Sequence, residues 1–203
     1  MPELYIAEVN YEEAKKLADL ASIHQDLSFT IDALKRLLQL LKDDNKDNIS
    51  IQSFWTAALI SYVRCFSRGK RFGLSEDIFG KLEGDPIGCH RYYKSLRDKH
   101  IAHSVNPFEQ VVAGLVLSEP DNPKQQVQGV ATLSLKLICS DIEGVVTLLR
   151  LASIAQKQVS EHAREYEAKV LEVGKSLPID TLYSKARIRT IAPGPEDARK
   201  ARK

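Results

Sequence analysis

Arg97, Asp98, His100 and His103 put a cation, a carboxylate and two imidazoles within about two helical turns. An arginine holds a phosphate with a fork of donors, and a histidine moves protons near neutral pH. Together they offer what metal-free cleavage of a phosphodiester needs. One imidazole could take the proton of a ribose 2′-hydroxyl while another gives a proton to the leaving oxygen. Arg97 could steady the charge on the phosphorane, and Asp98 could orient Arg97 or a histidine. This chemistry needs the 2′-hydroxyl, so RNA would be cut and DNA spared. Arg91 and Tyr92 fit rim contacts to RNA, and Lys99 stands beside them from a solvated position.

A plainer reading stands next to this one. Arg97 could pair with Asp98 or another acid, and His103 could bond a backbone carbonyl, so that the cluster only fastens helices. His100 and His103 are also one turn apart and could share a zinc ion, with Cys89 or His90 nearby in sequence. No third ligand has convincing spacing and there is no CxxC pair, so no metal site is expected. No GxGxxG or GxxxxGK[ST] occurs, so no nucleotide cofactor is expected either.

The elements that must position these residues are mostly helical. Leu17, Leu20, Ile23 and Leu27, then Ile31, Leu34, Leu37, Leu38 and Leu41, recur at three- and four-residue spacing. A break is expected near Ser28 or Thr30, both able to cap a helix. Asp43–Asn48 reads as a loop, after which Ser50 could cap a helix bearing Phe54, Trp55, Ala58, Leu59, Tyr62 and Phe66. Gly69 and Gly73 mark its end. Gly84-Asp85-Pro86 is a helix start, with Asp as cap and Pro in the first turn. That helix runs into the Arg97 motif, and Asn106-Pro107 stops it.

On one ideal helix Arg97 and His103 lie roughly 120° apart around the axis and about 9 Å apart along it. They cannot meet tightly there. Either the helix ends near Ile101 and His103 turns back, or two copies of the chain share a site. A two-fold contact would bring two arginines and two histidines together.

Val111–Leu117 is almost continuously apolar, and from Ala131 apolar and polar residues alternate. With Glu119-Pro120-Asp121-Asn122-Pro123 between them, a β-hairpin is expected over about 108–139. A lone hairpin is marginal in water, so it should pack on helices. Ser140-Asp141-Ile142-Glu143 is a capping box opening the longest helix, to about Lys175. Its seam, from Ile142 and Val145 to Val170 and Val173, serves either a second subunit or the chain's own bundle.

Residues 1–175 therefore read as one mainly α domain, and 176–203 as a basic, flexible tail. The tail holds Lys185, Arg187, Arg189, Arg199, Lys200, Arg202 and Lys203 against three acids. It either holds RNA phosphates or stays solvated. The net charge of +2 over 203 residues does not by itself imply nucleic-acid binding. Cys65, Cys89 and Cys139 are too few and too scattered for a disulfide framework. The segment Met1–Tyr5 does not lead a basic stretch into an apolar one, and no apolar run is long enough to span a bilayer. A cytoplasmic protein without membrane attachment is expected.

Arg97-Asp98, four residues and then His103 resembles the signature of the HEPN superfamily. Phe54-Trp55-Thr56-Ala57-Ala58 with Arg64, and Leu96–Ser104, are similar to helices of its abortive-infection-type members. The likeness covers about residues 10–175; the hairpin and tail are less typical. It implies an α-helical bundle, a homodimer with the motifs at its interface and, in active members, metal-independent endoribonuclease activity without a cofactor. It also implies roles as toxins or in phage defence. Other members are non-catalytic modules that partner an antitoxin or a nucleotidyltransferase. Arg97 and His103 would be the reacting residues, with Asp98 and His100 beside them.

Overall fold

The computed structural model describes residues 5–43, 47–67, 69–101, 109–187 and 194–195. Within these the chain is mainly helical, with two small antiparallel sheets of two strands each.

Helix α1, Glu12–Leu41, buries Leu20, Ile23, Leu27, Ile31, Leu34 and Leu37 on one face. The break expected at Ser28 or Thr30 is absent. Both hydroxyls instead donate one turn back, Ser28 to the His24 carbonyl at 2.9 Å and Thr30 to that of Asp26 at 2.8 Å. A hydroxyl that bonds back in this way leaves the helix continuous instead of capping a new one.

Helix α4, Ile142–Ser176, runs antiparallel to α1. Three contacts mark the pairing: the Tyr11 hydroxyl donates to the Val170 carbonyl at 2.8 Å, Lys16 lies 6.0 Å from the Tyr166 ring centre, and Gln156 donates to Ser28 at 2.8 Å. The long helix thus lies along its own bundle. Its buried line is Val145, Leu148, Leu151, Ala152, Ala155 and Val159, whereas Ile142 is 47% exposed. A straight helix of 3.6 residues per turn drifts off a strict 3.5-residue seam, which shifts the line from the expected one. The Asp141 carboxylate caps the helix by accepting from Gly144 at 2.8 Å.

Helix α2, Asn48–Arg64, packs on α1. Its cap is Asp47, not Ser50. Asp47 accepts from the Ile49 and Ser50 amides, while the Ser50 hydroxyl donates to the same carboxylate at 2.6 Å. Trp55, Ala58, Leu59, Tyr62 and Val63 fill the centre of the core. A 3-10 turn, Glu76–Phe79, seats Phe79 in that core.

Helix α3, Pro86–Leu96, carries the motif, and its start follows the expected signals. Gly84 takes a φ of 86°, a left-handed conformation that glycine adopts without a Cβ clash. Asp85 then accepts from the Gly88 amide at 2.8 Å, with Pro86 opening the first turn. Tyr93 and Leu96 are buried, and the Tyr93 hydroxyl donates to the Gly144 carbonyl of α4 at 2.7 Å.

Strands β2, Glu109–Leu117, and β3, Val127–Lys136, form the expected hairpin. Pairing runs from Glu109 opposite Lys136 to Leu117 opposite Val127, with one irregularity beside Val116. The packing differs from expectation. Val112, Leu115, Val130 and Leu133 are 56%, 64%, 73% and 67% exposed, so neither face of the ribbon is covered by the helices. Only its foot is anchored, where Leu137, Ile138 and Cys139 pack on the core.

The stretch after Leu177, expected as a flexible tail, begins with ordered elements. Helix α5, Ile179–Lys185, leads into β4, Ala186–Arg187, which pairs with β1, Ile6–Ala7. No helix among the described residues is long and apolar enough to cross a membrane.

Candidate functional site

The end of α3 does not continue as an α-helix. Arg97–Ile101 form a single π turn. Such a turn widens the helix, rotates the residues after it and recurs at functional sites. It abuts α2 as well as α3, and Ile101 packs against the core. The motif therefore starts from a rigid platform.

Arg97 and Asp98 are brought together. One Nη of Arg97 lies 2.8 Å from an Asp98 oxygen. Lys94 reaches the other Asp98 oxygen at 3.2 Å from one turn earlier. Asp98 thus sits between two cations. Arg97 is partly exposed at 26%, but its Nε is buried and has no acceptor among the described residues. Trp55 Nε1 is in the same condition. Its indole meets the Tyr93 ring edge-on at 6.2 Å, one turn before Arg97. A buried donor left without an acceptor costs about 1–3 kcal/mol.

His103 lies outside the described residues. His100 stands in the π turn, but its side chain is outside them too. The Arg97–His103 relation is therefore carried only by their spacing in sequence. The RNA-contact candidates fall on the outer side of α3. Arg91 binds Glu76 with two donors, at 3.1 Å and 2.5 Å, and so ties the 3-10 turn to α3. Tyr92 is 47% exposed with its ring against Tyr93, and Lys99 is exposed. Among the described residues no three His, Cys, Asp or Glu cluster as metal ligands.

His90, weighed above as a metal neighbour, is instead a core residue. It is 2% exposed, and its Nδ1 lies 2.9 Å from the Tyr62 hydroxyl. Phe66 and Phe79 flank the ring. Burial pushes its pKa below the ordinary histidine value.

A second ionic cluster escaped the sequence reading. Asp26 is 6% exposed on the buried side of α1. Arg64 binds it with both Nε and an Nη, and Arg71 donates to it at 2.7 Å. Arg71 also donates to Ser22 at 3.0 Å and to the Arg64 carbonyl at 3.1 Å. Burial opposes ionisation of Asp26, but the hydrogen bonds from the two arginines outweigh it and hold the carboxyl below its usual value. One signal could have found this cluster: Asp26 stands in the apolar stripe between Ile23 and Leu27, where a charge demands a partner. An open groove of about 800 Å³ borders Arg71, lined also by Lys15, Asp19 and Lys70. Arg97 and Asp98 do not line it.

Of the two cysteine thiols with the clearest environment, Cys65 is pushed up to about 12 by burial, and so is Cys139. Neither is poised as a nucleophile.

No family model matches the chain, and neither a curated protein nor a solved structure matches it.

Proposed function

We propose that the protein is a HEPN-like RNA-binding protein and a metal-independent endoribonuclease of the toxin or phage-defence type. In this reading Arg97 and His103 are the reacting residues, with Asp98 and His100 beside them and a second copy of the chain completing the site. The observation that carries it is the state of Arg97. It stands on a π turn, partly exposed, with one Nη on Asp98 and a buried Nε that no described acceptor meets. An arginine's guanidinium can hold a phosphate with a fork of donors. The mechanism follows from charge and proton movement. A histidine removes the 2′-hydroxyl proton, the 2′-oxygen attacks phosphorus, and a second histidine protonates the departing 5′-oxygen. The products are a 2′,3′-cyclic phosphate and a 5′-hydroxyl.

A second reading rests on a different observation. Asp98 is already shared by Arg97 and Lys94, and such an ion-paired cluster can simply fasten a helix end. Together with the exposed hairpin, this favours a non-catalytic interaction module that partners a toxin–antitoxin or nucleotidyltransferase component.

Single-stranded RNA incubated with the purified protein in EDTA separates the two. The catalytic reading expects cyclic-phosphate ends, with cleavage reduced at least 100-fold in both Arg97→Ala and His103→Ala. Equal cleavage by wild type and His103→Ala, or none by wild type, overturns it.

A further inference from the structure

Among the described residues no helix covers either face of the hairpin. Opposite residues of an antiparallel pair share a face, so the register sorts the two sides. Val112, Leu133 and Leu135 lie on one side with Gly114 and Ala131 between them. Leu115, Val130 and Val111 lie on the other. Each of these six large side chains is more than half exposed. A ribbon that packs on its own body is apolar on one face only; this one is apolar on both.

Its edges are equally unguarded. Solitary edge strands normally carry lysine, proline or an inward charge that prevents pairing. Here no charged residue and no proline occurs from Gln110 to Leu117 or from Val127 to Leu135. Between Gln110 and Leu135 the charged residues and prolines are confined to the tip, Ser118–Gln126, where Glu119, Asp121 and Lys124 stand. The shaft is built to be covered and the tip to meet water.

We propose that this ribbon is the dimerisation arm of the protein, and that its occupant is a second copy of the same chain. Two observations select that occupant. The first is area. Nine large apolar side chains on the two strands are more than a third exposed. At about 100 Å² each they present on the order of 900 Å², close to the roughly 800 Å² that each partner buries in a stable interface. The second is charge. An uncharged shaft gains nothing from a charged partner, and the matching uncharged apolar surface is the shaft of another copy. About a two-fold axis the two arms clasp, each covered on one face by the partner's arm and on the other by the partner's body. Small residues at Gly114 and Ala131 let the two backbones approach closely.

This inference rests on the dimer that the ribonuclease reading also assumes, and assigns the surface that forms it. The arm variants judge that surface, and RNA cleavage by the His103 variant judges the motif. It also gives a reason for the arm's place in the chain, since it begins within ten residues of Ile101, the end of the π turn.

The test is sedimentation velocity on the full-length chain across about 0.1–100 µM, with Leu133→Glu and Leu115→Glu altering one face each. Wild type is expected to be a dimer throughout the micromolar range, and each variant to raise its dissociation constant at least tenfold. Helical circular dichroism of both variants should match wild type, because the arm lies off the bundle. Hydrogen exchange at 111–117 and 127–135 should be slow in the dimer and fast on dilution. Four results would overturn the proposal: a wild-type monomer at 100 µM, open-ended assembly, a dimer that both variants leave intact, or a monomer that binds neutral phosphatidylcholine vesicles through the arm.

Discussion

The helical body and the hairpin are made from similar residues used in opposite ways. In the body, Trp55, Leu59 and Tyr62 are at most 1% exposed, and even the ionic residues have partners, Asp26 with two arginines and His90 with Tyr62. In the hairpin, leucines and valines of the same chemistry are mostly more than half exposed. Apolar content alone therefore does not decide what is core. Helices α1, α2 and α4 close on one another through complementary stripes. The ribbon has no such counterpart among the described residues.

The largest test of this contrast is to remove one apolar group from each region. Trp55→Ala should cost about 3–5 kcal/mol of unfolding free energy, because it empties the centre of the core. Leu133→Ala should cost less than about 0.5 kcal/mol under conditions where the protein is monomeric, because an exposed position makes few contacts. Urea denaturation of both variants at low protein concentration reads the difference directly. Similar losses would erase the division into body and arm.

A smaller effect probes how the body tolerates a buried charge. Asp26→Ala leaves Arg71, itself 21% exposed, without its carboxylate, while Arg64 at 54% can turn to water. A full buried pair would lose more, so about 2 kcal/mol is expected. Because the Asp26 pKa is lowered in the fold, its contribution is complete above pH 3.8, the ordinary carboxyl value, and is lost as pH falls further. The variant should therefore show a flatter acid limb below that pH in chemical denaturation.

The smallest effect comes from His90. Its pKa is lowered in the fold, so below its ordinary value of 6.5 the unfolded chain takes up the proton first. Stability should fall as pH drops through 6.5, and His90→Asn should remove that part of the slope. A wild-type stability flat from pH 7.5 to 5.5 would contradict the buried, neutral imidazole. The hairpin contains no histidine, so this slope is assigned to the body.

Much of this was legible in the residues. The apolar spacing of α1 and the Gly84-Asp85-Pro86 start of α3 are local signals, and local chemistry decides them; the start of α4 was legible too, though its cap is Asp141 bonding Gly144 and not the expected Ser140–Glu143 box. Three features were not. Ser28 and Thr30 carry cap-forming side chains, yet bond back into α1 because both flanks are strongly helical. The π turn at Arg97 has no residue signature; tertiary packing of Ile101 and Leu96 accompanies it. The exposure of the hairpin was harder to read, because the apolar residues of a strand do not say what covers them. For the candidate site, spacing identified Arg97 and Asp98 as neighbours, and they are. Lys94 stands four residues before Asp98, so its competition for that carboxylate was also open to a helical reading.

The most direct measurement of the central claim compares one RNA oligonucleotide with its copy bearing a single 2′-deoxy sugar at the cleaved position. Both are incubated in EDTA with wild type and with His103→Ala, each confirmed as a dimer. The account predicts a 2′,3′-cyclic phosphate from the all-ribose strand with wild type only, and no cut at the deoxy position. Cleavage of the deoxy strand at that position, or unchanged cleavage by His103→Ala, would contradict it.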